Sequence, residues 1–226
     1  LQPEPFFSKL KEFDQVWVPT EWQRQCTINQ GISEDKVFVV PEGVDLKRFY
    51  PVNHKPNDKF QFMIFGRWDY RKYTRETVQA FIEEFGKDEP VELILSADNP
   101  YPVDSYNSTE ERLEKYGLQD PRIKILHFPS DREYTKYLQT GNCLLGVSRS
   151  EGWGLPQCEA LACGTPTLII DWGASLEFGK YAYKVKVKEM RKPANVFMQG
   201  NDVPGEWAEP DFDDLKKQMR YIYENY

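Results

Sequence analysis

Cys143-Leu-Leu-Gly-Val-Ser148, Arg149-Ser-Glu-Gly-Trp-Gly-Leu-Pro156, Gln157-Cys-Glu-Ala-Leu-Ala-Cys-Gly164 and Thr165-Pro-Thr-Leu-Ile-Ile170 follow one another without a break, and their order decides the fold. The first is a short apolar run that reads as a strand over Cys143–Ser148. The second is a glycine-bearing loop. The third predicts a helix from Gln157 to Cys163, with Pro156 suited to a first helical turn and Gly164 to the left-handed position that closes a helix. The fourth contains a second apolar strand, Thr167–Ile170. Uniformly apolar strands separated by helices are the units of a parallel sheet covered on both faces.

The same alternation extends outward. Upstream, Phe60–Phe65 reads as a strand and Thr74–Phe85 as a helix with Val78, Phe81, Ile82 and Phe85 along one face. Val91–Leu95 and Ile123–Leu126 are further strands. Ser108-Thr-Glu-Glu111 caps a helix ending at Gly117, and Ser130-Asp-Arg-Glu133 is a capping box for a helix ending at Gly141. Nearer the start, Phe13–Val18 and Val37–Val40 are short strands on either side of a helix capped by Thr20-Glu-Trp-Gln23 and closed by Gly31. His54–Lys59 reads as a linker. Beyond Asp171 the pattern weakens: Tyr183–Lys188 alternates like a strand, Arg191–Pro210 reads as an irregular loop, and Asp213–Tyr226 is amphipathic and helical. The expected fold is α/β, a Rossmann-like parallel sheet with helices on both faces. Ligands of such sheets bind at the carboxyl ends of the strands.

Composition narrows the functions. The 226 residues carry a formal net charge of −7, which repels phosphate backbones and argues against a nucleic-acid partner. An anionic nucleotide would need local cations. The four cysteines form no CxxC pair and read as reduced thiols, and two histidines are too few for a His-rich zinc site. No apolar stretch approaches the ~20 residues of a membrane-crossing helix, and the first residues lack signal-peptide character. The chain starts without Met, so a piece of a longer protein is expected.

Two loops could carry chemistry. In the first, Gly152 and Gly154 bare the backbone at a helix N-terminus, where free N–H groups and the helix dipole favour an anion such as a diphosphate. Glu151 lies at the mouth of this loop and Glu159 about two turns into the helix. Two carboxylates so placed suit the vicinal hydroxyls of an elongated ligand. The pattern equally fits a helix-face Glu159 and glycines that only turn the chain. In the second loop, Phe65-Gly66-Arg67 ends a strand and Lys72 precedes a helix, a candidate phosphate clamp. It equally fits a solvated basic loop of Arg67, Arg71, Lys72 and Arg75. Asp211-Phe-Asp213 has the spacing of a metal-binding DxD but reads as a helix cap, and Asn107-Ser-Thr109 as a surface turn rather than a glycosylated site. Neither GxxxxGK[ST] nor GxGxxG occurs, which argues against P-loop and nicotinamide chemistry.

Taken together, these residues resemble the C-terminal donor-binding domain of family-4 glycosyltransferases, retaining enzymes of the GT-B fold. Four blocks in the family's order carry the likeness: Val39-Val-Pro-Glu-Gly-Val-Asp45 with Phe49 and Pro51, Phe65-Gly-Arg67 with Lys72, Ser148–Pro166 with its E-x7-E spacing, and Trp207-Ala-Glu-Pro-Asp211. The match runs from about Phe13 to the end of the chain. The resemblance implies that residues 1–50 are a remnant of an N-terminal lobe with the interlobe linker, and that 51–226 bind a nucleotide-sugar donor. It implies catalytic roles for Glu151, Arg67 and Lys72: Arg67 and Lys72 neutralise the diphosphate, and Glu151 meets the transferred hexosyl unit near its reacting carbon. Glu159 is expected at the ribose hydroxyls, with Gly66, Gly152, Trp153, Gly154 and Leu155 also lining the donor site, and His127–Ser130 near the base. No metal and no cofactor beyond the donor substrate are implied, and the chemistry is retaining transfer by front-face displacement.

Two departures stand out. The family has Lys-Gly where this chain has Lys72-Tyr73, which puts the loop's backbone path in question. The acceptor lobe, whether for a glycan, lipid or protein acceptor, is represented by about Leu1–Val40 alone, so the chain is expected to bind donor and transfer poorly. A non-catalytic nucleotide-sugar-binding module and a nucleotide-sugar epimerase of the same fold are the competing expectations. The expected location is the cytoplasm, free or peripheral at a membrane.

Overall fold

The computed structural model describes residues 6–101, 108–193 and 205–226. In chain order the elements are α1 (Phe6–Leu10), β1 (Val16–Val18), α2 (Glu21–Asn29), β2 (Val37–Val39), β3 (Phe60–Phe65), α3 (Thr74–Glu84), β4 (Val91–Ser96) and α4 (Thr109–Lys115). They continue with β5 (Ile123–Ile125), α5 (Asp131–Thr140), β6 (Cys143–Leu145), α6 (Leu155–Ala162) and β7 (Thr167–Ile170), then β8 (Tyr183–Val185), β9 (Val187–Arg191), β10 (Trp207–Pro210) and α7 (Phe212–Glu224).

Six strands form one sheet in the order β5-β4-β3-β6-β7-β8, every pair parallel. The chain starts in the middle at β3, winds outward to β5, then returns to β6 on the other side of β3. The sheet therefore has a topological switch point between β3 and β6, where the loops leaving their carboxyl ends part in opposite directions and open a crevice.

Strand pleating sorts the core into two layers. Phe62, Ile64, Leu93, Leu95, Cys143 and Leu145 point to one face, where Val78, Phe81 and Phe85 of the α3 region, Leu113 of α4, and Leu215, Met219 and Ile222 of α7 cover them. Met63, Ile94 and Leu144 alternate to the other face and pack on Leu138 of α5, Ala160 of α6, Cys163 and Phe49. Both faces are thus buried, as the apolar strands required.

Local capping places the helices. Ser130 accepts from the Glu133 amide while Glu133 reaches back to the Ser130 amide, a complete capping box. Thr20, Ser108 and Asp211 cap α2, α4 and α7. Asp211 of the Asp-Phe-Asp sequence is therefore a helix cap, while Asn107 of the sequon lies outside the described residues. Gly164, at φ +79°, closes α6.

The structure corrects three expectations. Tyr183–Lys188 is not one strand: β8 joins the large sheet, and the chain turns away at Lys186 into β9. The end of the expected irregular loop is strand β10, which pairs antiparallel with β9. The helix α6 starts at Leu155 rather than Gln157, because Pro156 tolerates the first turn, where its missing N–H has no partner to lose. Separately, β1 and β2 form a two-stranded parallel sheet over a small core of Phe7, Val16, Ile32 and Val37. Trp17 and Phe38, opposite each other in register, face outward. No helix among the described residues is long and apolar enough to cross a membrane.

Candidate functional site at the switch point

The two loops singled out in the sequence leave β3 and β6, the strands that flank the switch point, and are stapled together there. The first loop turns tightly: the Asp69 carboxylate accepts from the Arg71 amide at 2.7 Å, and the Lys72 amide donates to the Asp69 carbonyl at 3.0 Å. Its end is Tyr73, which sits in the left-handed region at φ +57° and ψ +24°. The residue that follows Lys72 thus adopts a backbone geometry that glycine suits, with a tyrosine in it. Tyr73 is 2% exposed, and its buried ring compensates the strain.

The second loop grips the first through the Arg71 carbonyl, which accepts from the Arg149 amide at 2.8 Å and the Ser148 hydroxyl at 3.1 Å. Arg71 in turn donates to the Ser150 carbonyl. Glu151 then lies between two cations: Lys72 Nζ is 2.6 Å from its Oε1, and Arg71 Nη1 is 3.1 Å from its Oε2. Burial by itself pushes the Glu151 carboxyl upward. The charges of Lys72 and Arg71, and the hydrogen bonds they donate, outweigh it and hold the group below the ordinary glutamate range.

Beyond Glu151 the chain passes Gly152 and Trp153 to Gly154, the left-handed N-cap of α6 at φ +104°. A β-carbon on Gly154 would meet Gln157 Oε1 at 3.0 Å and the Phe178 ring at 3.3 Å, so glycine is needed on two counts. The Trp153 indole is buried edge-on against Phe178, with ring centroids 5.7 Å apart, so Trp153 offers the crevice its backbone. Leu155 and Gly152 are exposed. Glu159, half-buried on α6, accepts a hydrogen bond at Oε2 from the Tyr134 hydroxyl of α5. Burial raises its carboxyl, against the Tyr134 hydrogen bond and the Arg48 charge.

Of the residues expected at the site, Lys72, Glu151 and the α6 N-terminus come together. Arg67 is exposed, and its guanidinium stacks over the Tyr101 ring at 5.1 Å. His127 lies between Asp98, 3.0 Å from Nδ1, and Glu110, 2.8 Å from Nε2. Those hydrogen bonds, Asp98 first, raise its pKa. Neighbouring Phe128 is 72% exposed at φ +38°.

Sequence reasoning passed over Arg149, Glu209 and Tyr134, and it left Arg71 within a solvated basic loop. Arg149 is 3% exposed and lies over the Tyr70 ring at 3.8 Å and the Tyr73 ring at 4.5 Å. Glu209 of β10 takes its charge, with Glu76 of α3 at 3.3 Å. Its position directly before Ser150-Glu151 was the available signal. An apolar hollow of about 620 Å³, lined by Val44, Leu161, Phe178 and Tyr181 among others, lies off this crevice and includes neither Glu151, Lys72 nor Glu159.

Comparison with known proteins bears on the family and the fold. The family model described as glycosyl transferases group 1 matches residues 47–183, more than half of the chain. A phosphatidylinositol N-acetylglucosaminyltransferase subunit from Arabidopsis thaliana is 29% identical over 161 residues, which cover 70% of this chain and 35% of that protein. The C-terminal domain of a glycosyl transferase group 1 family protein, LpcC of Francisella tularensis, superposes with a TM-score of 0.53 at 26% identity, covering 65% of this chain and 82% of that one. Anabaena HepE in complex with UDP and glucose superposes with a TM-score of 0.68 at 18% identity, covering 81% of this chain and 53% of HepE. The chain spans well under half the length of the curated relatives it matches.

Proposed function

The chain belongs to the group 1 glycosyl transferases, and on that premise we propose that it is the donor-binding part of a retaining, metal-independent transferase that moves a hexosyl unit from a nucleotide-diphosphate sugar. The observation that carries this is the cluster of Lys72, Arg71 and Glu151 at the switch point, beside the bare N-terminus of α6.

Lys72 and Arg71 are placed to neutralise a diphosphate, with Arg67 available from the same loop. Their charge matters most as the bond between the sugar's anomeric carbon and the phosphate oxygen breaks and negative charge collects on the leaving phosphate. Glu151 then exchanges its cations for the transferred sugar's hydroxyls. Glu159 accepts from the ribose hydroxyls, and the backbone from Gly152 to Leu155 lines the sugar and phosphate. The acceptor oxygen attacks the same face, and its proton passes to the leaving phosphate. Residues 51–226 form the donor domain in this reading, and residues 1–50 the end of an acceptor-binding lobe and the linker. The outward pair Trp17 and Phe38 supports this, since such an apolar face suits burial by more of that lobe. The HepE complex puts uridine diphosphate sugars first among donors to try, and the Arabidopsis relative makes a phosphatidylinositol lipid the first acceptor to try. A cytoplasmic place, free or peripheral at a membrane, goes with this reading.

Calorimetry against uridine, guanosine and adenosine diphosphates and their hexoses tests the reading. At least one should bind, and Lys72→Ala should weaken it tenfold or more, the loss of a charge-assisted contact worth roughly 1.5–3 kcal/mol. No binding across the panel overturns the assignment.

A further inference from the structure

We propose that Tyr134 is a positioning residue that presents Glu159 to the ribose hydroxyls of the donor and so sets selectivity for ribonucleotides. This rests on the reading of Glu159 given above.

The hydroxyl of Tyr134 donates to Oε2 of Glu159, which occupies one of its two carboxylate oxygens. A carboxylate has about four acceptor sites. With Oε2 engaged, its plane is fixed and Oε1 remains for a ligand. Tyr134 is itself held rigidly. Its ring packs edge-on against Phe65, the last residue of β3, with centroids 5.0 Å apart, and against Phe49 at 6.1 Å. Its amide donates to the carbonyl of Ser130, inside the capping box that starts α5. The phenol is therefore referenced to both the β3 end and the α5 start, the same frame that carries the first cation loop.

The hydrogen bond has one direction. Burial, then the hydrogen bond and charge of Glu159, push the Tyr134 phenol far above its ordinary range, so it keeps its proton and acts as donor. The carboxyl of Glu159 is raised by burial and opposed by Tyr134 and by Arg48. Asp131 of α5 and the thiols of Cys158 and Cys163 complete its charged and titratable surroundings. Without the phenol, the same burial is met by Arg48 with one hydrogen bond fewer, so the carboxyl rises further and its rotamers are freed.

Tyr134→Phe removes one oxygen and leaves the ring packing in place. The experiment measures, on the purified chain, the affinity of whichever nucleoside diphosphate of the uridine, guanosine and adenosine set binds best, against its 2′,3′-dideoxy form. In the native protein the ribonucleotide binds more tightly. In Tyr134→Phe its affinity falls about tenfold, while the dideoxy form is unchanged and thermal unfolding shows a folded protein. Ribonucleotide selectivity, lost on acidification as Glu159 takes up a proton, is lost at a higher pH in the variant. A merely structural bond lowers the melting temperature and leaves the selectivity and its pH profile alone, which overturns the proposal. Native protein that binds a diphosphate without preferring the ribonucleotide overturns the assignment of Glu159 and the role of Tyr134 together. Failure of every diphosphate to bind overturns the donor site itself.

Discussion

The Arg149 guanidinium holds the Glu209 carboxylate at two points, Nε to Oε2 at 2.7 Å and Nη2 to Oε1 at 2.9 Å, across 60 residues of chain. The pair ties β10 to the loop that carries Glu151, and the Ala208 amide adds a bond to the Arg149 carbonyl at 3.2 Å. Such a forked pair is strong in geometry, and removing one member strands the other in a buried setting. Arg149→Ala leaves Glu209 and Glu76, 12% and 14% exposed, with only the half-exposed guanidiniums of Arg191, 3.5 Å from Glu209, and Arg75, 3.3 Å from Glu76. It is expected to cost about 3 kcal/mol in urea unfolding, the low end for a broken buried pair because those two guanidiniums remain. Arg149→Lys should recover only part of this, because a point charge cannot engage both oxygens and also stack on Tyr70 and Tyr73. An unchanged urea midpoint in Arg149→Ala would remove Arg149 from any role in holding the loops together.

Tyr73 combines a strained backbone with a buried ring, and the two effects separate by substitution. Left-handed geometry costs a non-glycine residue about 1–2 kcal/mol, whereas truncating a buried aromatic costs about 3–5 kcal/mol. Ring burial wins, so Tyr73→Gly should be destabilised despite relief of the strain. Tyr73→Ala should be worse than Tyr73→Gly by about 1 kcal/mol, since it loses the ring and keeps the strain. Tyr73→Phe should be mild, as it gives up one hydroxyl contact of 3.4 Å to the Pro210 carbonyl. Chemical denaturation of the three variants checks the order, and an alanine variant as stable as the glycine one would refute the left-handed geometry.

His127 bridges two carboxylates, and its folded pKa is raised above the ordinary value of 6.5. A raised histidine contributes stability that is complete below the unfolded pKa and fades as pH rises through the folded one. The ring is half-exposed, so solvent screens the effect and the informative observable is the titration itself. Proton NMR should place the His127 midpoint above 6.5, and Asp98→Asn should return it toward that value. A midpoint at or below the ordinary value in the native chain would contradict the bridge.

The large sheet was legible because burial on both faces leaves long apolar runs, and because Ser130, Glu133 and Gly164 carry their own local instructions. Helix caps depend on residues within one turn, so sequence displays them. What escaped depends on contacts far along the chain. The pairing of β10 with β9 is antiparallel and nonlocal, and neither strand has an apolar run. Arg149 looks like a surface residue between two serines, since only the fold brings Glu209 and Glu76 to neutralise it. At the cation loop, Arg67 and Lys72 were visible as charges following a strand. That Arg71 rather than Arg67 reaches Glu151 follows from the Asp69 turn, which spacing alone does not encode. Tyr73 was visible as a departure from glycine, while its left-handed backbone was not.

Glu151 answers for both stability and binding, and the two should respond in opposite senses to Glu151→Gln. Its folded pKa is depressed, because Lys72 and Arg71 outweigh burial. A depressed carboxylate contributes stability that is present above the unfolded pKa, about 4.3, and is lost as pH falls through the folded one. Native protein should therefore exceed Glu151→Gln in stability near neutrality, with the gap closing below about pH 4. Binding of a bare nucleoside diphosphate should go the other way. In the native chain the diphosphate must draw Lys72 and Arg71 from a carboxylate that already touches both at 2.6 and 3.1 Å. The glutamine variant lifts that competition, so diphosphate affinity should rise severalfold, while the sugar's own contribution to affinity should shrink because glutamine lacks the charge that grips hydroxyls most strongly. Calorimetry with the diphosphate and with its hexose conjugate separates the two. Weaker binding of the bare diphosphate to Glu151→Gln would show that Glu151 orients the cations rather than competing for them.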